Sequence, residues 1–187
     1  MCIVMPKLYL VRHGKAAAGF GEDADPGLDA LGQSQAAAAA ERLSLLPRMA
    51  LRSSPLRRAR ETAAPLEALW KVNANIDPAV SEIPSPTPDL AARVIWLRDF
   101  MQGRWSDVDA ELKAWRSTLI RALLSLDGNC VIFSHYVAIN VAAGAALQDE
   151  RTLVFSPANA SITIFEHDGH TLRLIEKGEE APLTRVN

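Results

Sequence analysis

The chain has 187 residues, 49% of them hydrophobic and 22% charged, which excludes a disordered, collagenous or low-complexity polymer and gives enough length to bury a core without disulfide or metal staples. Twenty lysines and arginines against 22 aspartates and glutamates leave a net charge of −2, excluding the global basic field that draws proteins to nucleic acid or anionic lipid. A phosphate could be bound only by positive charge gathered locally. Two cysteines, Cys2 and Cys130, argue against a disulfide framework and for a reducing, cytoplasmic setting. No apolar run nears the ~20 residues of a membrane span, and the stretch from Met1 to Val11 lacks the basic start and small-residue cleavage site of a leader. One domain over residues 1–187 is expected, with no membrane or nucleic-acid partner and with oligomeric state left open.

In chain order, the apolar run Leu8-Tyr9-Leu10-Val11 reads as a strand covered on both faces and stops at Arg12-His13-Gly14. Lys15 to Gly27 has no period and is long enough to suspect function. Asp29 is placed to cap a helix running through the alanines to about Leu46, before Pro47. Met49 to Ser53 reads as a second strand, and Ser54-Pro55 as the opening of a helix to about Trp70, with Pro65 predicting a kink or early stop.

Asn75 to Asp77 is a candidate third strand, and the prolines at 84, 86 and 88 exclude regular structure there. Helices follow over roughly Asp89 to Gln102 and Ser106 to Leu126, the second with a Ser106/Asp109 capping pair. Val131-Ile132-Phe133 is a buried strand ending at Ser134-His135, and a helix then runs to about Leu147. Ser161 to Phe165 and Thr171 to Ile175 flank Asp168-Gly169, a two-residue hairpin signal. Alternation of strand and helix predicts an α/β fold, a three-layer α/β/α sandwich around a mainly parallel sheet.

Ligands of open α/β sheets bind at the carboxyl ends of the strands. Three of those ends carry Arg12-His13-Gly14, Ser53 to Arg58, and Ser134-His135, so parallel pairing would gather two imidazoles, several guanidiniums and a glycine at one edge. This set suits a phosphomonoester: guanidinium forks match phosphate oxygens, a helix start after Ser54-Pro55 adds N–H donors, and a neutral imidazole can attack phosphorus. Five arginines and no carboxylate lie between Arg48 and Arg60. Successive helical residues point about 100° apart, so at most two of Arg57, Arg58 and Arg60 can face one phosphate.

Leu10-Val11-Arg12-His13-Gly14 resembles the signature of the histidine phosphatase superfamily, the phosphoglycerate mutase-like fold. Leu28-Asp29-Ala30-Leu31-Gly32-Gln33-Ser34-Gln35-Ala36 is similar to that family's helix after the catalytic loop, Ser53 through Ala63 to its second arginine motif, and Val131 through His135 to the strand bearing its second histidine. The resemblance implies a short phosphatase of branch 1, independent of metal or other cofactor, acting on a small phosphorylated substrate. His13 would become phosphohistidine, Arg12 and Arg58 would bind the phosphoryl group with Gly14 beside them, His135 would stabilise its oxygens, and Glu82 would protonate the leaving oxygen. Tyr136 stands where the family commonly has glycine.

Three rival readings share the fold: a phosphoglycerate mutase-like phosphotransferase, a phosphohistidine protein phosphatase, which can dispense with the general acid because imidazole leaves easily, and a non-catalytic phosphate-binding module. A metal site from His167 and His170 would lack ligands. Specificity is assigned to residues 15–27 and to Glu82 through Asp107, where Trp96 and Phe100 share a helical face with Arg93 and Leu97 and are read as core.

Overall fold

A computed structural model describes residues 5–19 and 21–181; Cys2 lies outside them. Six strands, β1 (Lys7–Arg12), β2 (Ala50–Ser53), β3 (Asn75–Ile76), β4 (Cys130–Ser134), β5 (Ile162–His167) and β6 (Leu172–Glu176), form one sheet in the order β3-β2-β4-β1-β5-β6. Pairing is parallel from β3 through β1 and antiparallel at β1–β5 and β5–β6. Only β5 therefore runs against the others, and the sheet is mainly parallel.

Five helices cover the two faces: α1 (Ala30–Ser44), α2 (Arg57–Trp70), α3 (Leu90–Met101), α4 (Ala110–Leu124) and α5 (Tyr136–Leu147). Alternate strand residues point to opposite faces, and the cores divide accordingly. Leu8, Leu10, Cys130 and Ile132 pack with α4, α5 and Phe100 of α3 on one side; Tyr9, Val11, Val131 and Phe133 pack with α1 and α2 on the other. The three-layer sandwich follows directly. Trp96 and Phe100 pack in the first core as their spacing implied, joined by fully buried Trp105. Among the described residues, no helix is long and apolar enough to cross a membrane.

Several local expectations are corrected. The second helix begins at Arg57 rather than at Pro55, because the Ser54 hydroxyl accepts from Leu56 N and also meets His135. Pro65 does not stop it early: the helix continues to Trp70. A missing backbone bond costs roughly 3 kcal/mol, and burial of Leu66 and Trp70, at 0% and 3% exposure, returns about as much or more. The fourth helix starts at Ala110, since the Asp109 side chain takes the Leu112 N–H while the Ser106 hydroxyl is spent on Asp107. Finally, the β5–β6 connection has four residues and not two, because the Asp168 carboxylate accepts from His170 N and Thr171 N, both at 2.8 Å, with Gly169 at φ +89°.

Candidate active site

Strand register fixes the site. Arg12 of β1 pairs with Ser134 of β4, and Ser53 of β2 with Phe133. The residues that follow, His13, His135 and Ser54, therefore emerge side by side at one sheet edge.

His13 turns its Nδ1 onto the Gly14 carbonyl at 2.7 Å. A carbonyl only accepts, so Nδ1 holds the proton and Nε2 carries the lone pair. Arg58 Nε lies 3.3 Å from that nitrogen. Burial, reinforced by the guanidiniums of Arg58 and Arg12, holds the His13 imidazole well below the usual histidine range, so it stays neutral. Two close approaches support the turn. Gly14 N donates to Thr62 Oγ1 at 3.0 Å, and a Cβ on Gly14 would sit 2.5 Å from the Gly32 carbonyl oxygen, so α1 passes too near for any other residue.

Arg12 comes from the end of β1 and Arg58 from the first turn of α2. Arg12 donates through Nη1 to the Pro157 carbonyl at 2.8 Å, lies 4.8 Å from the Tyr136 ring centre, and leaves its Nε buried without a partner. Arg58 meets a carboxylate only at 3.7 Å, on Asp25. Burial lowers both guanidiniums from their ordinary value, opposed chiefly by Glu82. A buried and a half-buried guanidinium, whose one ion pair among the described residues is the 3.7 Å contact to Asp25, form a strong attractor for an anion. Of the remaining arginines in the 48–60 cluster, Arg52 pairs with Asp77 at 2.6 Å and Arg57 with Glu61 at 2.7 Å, and Arg60 is exposed.

His135 is fully buried behind His13, with ring centres 5.2 Å apart. Its Nε2 meets Ser54 Oγ at 2.8 Å, while its Nδ1 has no partner. Burial, with positive charge around it, lowers its pKa well below the usual range. Glu82 follows the short 3-10 turn Pro78–Val80 and reaches the first turn of α5. Its Oε1 accepts from Ile83 N, Val137 N and Ala138 N at 3.0–3.2 Å, whereas Oε2 receives only Val137 N at 3.2 Å. Desolvation raises the Glu82 carboxyl above the ordinary carboxylate value, against the lowering effect of those N–H groups and Arg58. Oε2 is thus the oxygen with room for a proton.

Arg12, His13, Arg58 and Glu82 line one cavity of about 570 Å³. Gly14 and His135 stand behind that lining; Gly14 has both backbone polar groups engaged within the protein. The 15–27 loop forms an outer wall, and α3 contributes Leu97 and Met101. Two contributors were not assigned from sequence. Tyr136 packs on Arg12 and donates its hydroxyl to Ser156 Oγ at 3.2 Å, and Asn159 Nδ2 donates to the His13 carbonyl at 3.1 Å. An aromatic residue next to the second histidine was the available signal for Tyr136. Asn159 sits in an irregular segment with no motif around it.

Comparison with known proteins agrees with this architecture. The model of the histidine phosphatase superfamily (branch 1) matches residues 8–86. No sequence match was found among curated proteins. Among solved structures, mycobacterial glucosyl-3-phosphoglycerate phosphatase is 22% identical with a TM-score of 0.72, covering 92% of this chain and 97% of that one. "Mycobacterial hydrolase 1" is 24% identical with a TM-score of 0.70 over 95% and 100% of the two chains. A protein from Thermus thermophilus, also 24% identical, gives 0.59 over 92% and 99%. At these identities the likeness is one of fold. The family match takes in the first two motif-bearing strands and their helices, and over the whole chain the fold is the one these phosphatases share.

Proposed function

We propose that this protein hydrolyses small phosphomonoesters through a phosphohistidine formed on His13. The observation that carries the reading is the His13 tautomer: Nδ1–H is spent on Gly14, and the Nε2 lone pair lies beside Arg58 in the cavity. Arg12 and Arg58 hold the phosphoryl oxygens and offset the charge that spreads over them in the transition state. His135 supports the His13 ring from behind the cavity lining and stabilises charge on the phosphoryl oxygens through it.

In the first displacement the Nε2–P bond forms as the P–O bond to the alcohol breaks, and the leaving oxygen takes the proton from Glu82 Oε2. In the second, water gives a proton to the Glu82 carboxylate and attacks phosphorus. The N–P bond breaks, its electron pair returns to Nε2, and inorganic phosphate departs. Gly14 acts at one remove, by fixing the His13 tautomer.

A chemical quench during turnover of an aryl phosphate tests this. The expected result is an acid-labile, alkali-stable phosphate on the wild-type chain that is absent from His13→Ala. Steady turnover with no such label, or an undiminished label in the variant, would overturn it.

A further inference from the structure

Beyond the phosphoryl end, the cavity has a definite charge. Its lining cations among the described residues are Arg12, Lys15 and Arg58, and its lining carboxylates are Glu22, Asp23, Asp29 and Glu82. A phosphate dianion takes up the two guanidiniums. Lys15 is already held by Asp29 at 2.8 Å. Glu82, with its raised pKa, can enter the reaction protonated. What remains to face the alcohol is Glu22 and Asp23, set in fixed positions by backbone donors: Gly19 N to Glu22 Oε2 at 2.7 Å and Asp25 N to Asp23 Oδ1 at 3.0 Å. Neither makes a salt bridge among the described residues. Arg93 acts electrostatically on Arg58 but does not line the cavity. Asp23 also acts electrostatically on Arg58, and the lining includes apolar surface from Ala16, Ala17, Leu97 and Met101.

From this juxtaposition we infer that the alcohol released by the enzyme carries no anionic group: it is an uncharged or cationic alcohol with an apolar portion. A carboxylate on that alcohol would be driven toward Glu22 and Asp23 with no spare lining cation to receive it. Glycerate esters bear such a carboxylate, so this chain diverges in substrate class from the glucosyl-3-phosphoglycerate phosphatase whose fold it shares. The inference rests on the phosphomonoesterase reading.

A matched series of aryl esters separates the two: phenyl phosphate, 4-carboxyphenyl phosphate and 4-(aminomethyl)phenyl phosphate. The carboxylated ester is expected to have a kcat/KM about tenfold below phenyl phosphate, mostly through KM, as suits two partly solvated charges acting at short range. The aminomethyl ester should equal or exceed phenyl phosphate. In a Glu22→Gln/Asp23→Asn double variant, the ratio of carboxyphenyl to phenyl kcat/KM should rise several-fold. A carboxylated ester cleaved as well as phenyl phosphate, or a ratio unmoved by the double variant, would overturn the inference while leaving the hydrolase reading intact. Absence of turnover with all three esters would overturn the hydrolase reading itself.

Discussion

The four histidines lie in two regions. His13 and His135 follow parallel strands β1 and β4, while His167 and His170 flank the turn between β5 and β6. Burial does not distinguish them: His13, His135 and His167 are 7%, 0% and 3% exposed. The difference is what surrounds each ring. His13 has two guanidiniums, a tautomer-fixing carbonyl and a cavity before it; His167 accepts from Gly169 N at 3.1 Å and lines no such cavity. Parallel strands end at one edge and pool their side chains, whereas a hairpin folds back and leaves its turn alone. Topology, more than residue type, decides which histidines face the cavity and its guanidiniums.

The sharpest way to break this contrast is to remove the proposed nucleophile. His13→Ala should lower kcat for an aryl phosphate by roughly 10⁴-fold or more, as loss of a covalent nucleophile does, with thermal unfolding near the wild-type midpoint. Next in size is Glu82→Gln, expected to cost roughly 10²–10⁴-fold on alkyl phosphates and much less on phosphohistidine, whose leaving imidazole needs little help. The pH profile sharpens this. The proposed mechanism needs His13 neutral in the free enzyme, and its lowered pKa puts the acid limb below the ordinary histidine value. The same mechanism needs Glu82 protonated, and its raised pKa carries the alkaline limb above the ordinary carboxylate value. The Gln variant should keep the acid limb and lose the alkaline one.

A smaller effect belongs to Tyr136, which supports Arg12 from below. Cation–π contacts are worth ~0.5–2 kcal/mol, so Tyr136→Leu should raise KM about tenfold. Tyr136→Phe retains the ring, loses only the bond to Ser156, and should stay within about threefold, a hydrogen bond of this kind contributing near 1 kcal/mol. Equal losses in both variants would show that the ring is not what holds Arg12.

Much of the architecture was legible because strand-end chemistry sits in short contiguous motifs. Arg12, His13, Arg58 and His135 all follow or adjoin apolar runs whose burial the sequence displays, and the register of β1, β2 and β4 then aligns them. Helix starts were less legible where two candidate caps competed: Asp109 prevailed over Ser106, and Ser54 was diverted toward His135. Pro65 misled because tertiary burial of its helix outweighs a local rule. The Asp168 side chain likewise lengthened the hairpin turn by taking two N–H groups, at a carboxyl held down at about 2. Tyr136 and Asn159 could not be placed beforehand, since a stacking partner or a single amide bond to a carbonyl depends on contacts between distant segments.

The smallest expected effect on catalysis is at the other end of the comparison. His167→Ala removes a buried ring at the end of β5 and the acceptor for Gly169 N. Its cost should appear in stability, about 1–2 kcal/mol, which for a chain of this size lowers the melting midpoint by roughly 2–8 °C. Because the hairpin lies outside the cavity lining, kcat/KM measured well below that midpoint should remain within about twofold. A large fall in kcat at full folding would mean that the hairpin communicates with His13, and that an imidazole's distance from the pooled strand ends does not decide its role. Loss of stability with chemistry preserved would instead separate the two regions by function as cleanly as the sheet separates them by strand direction.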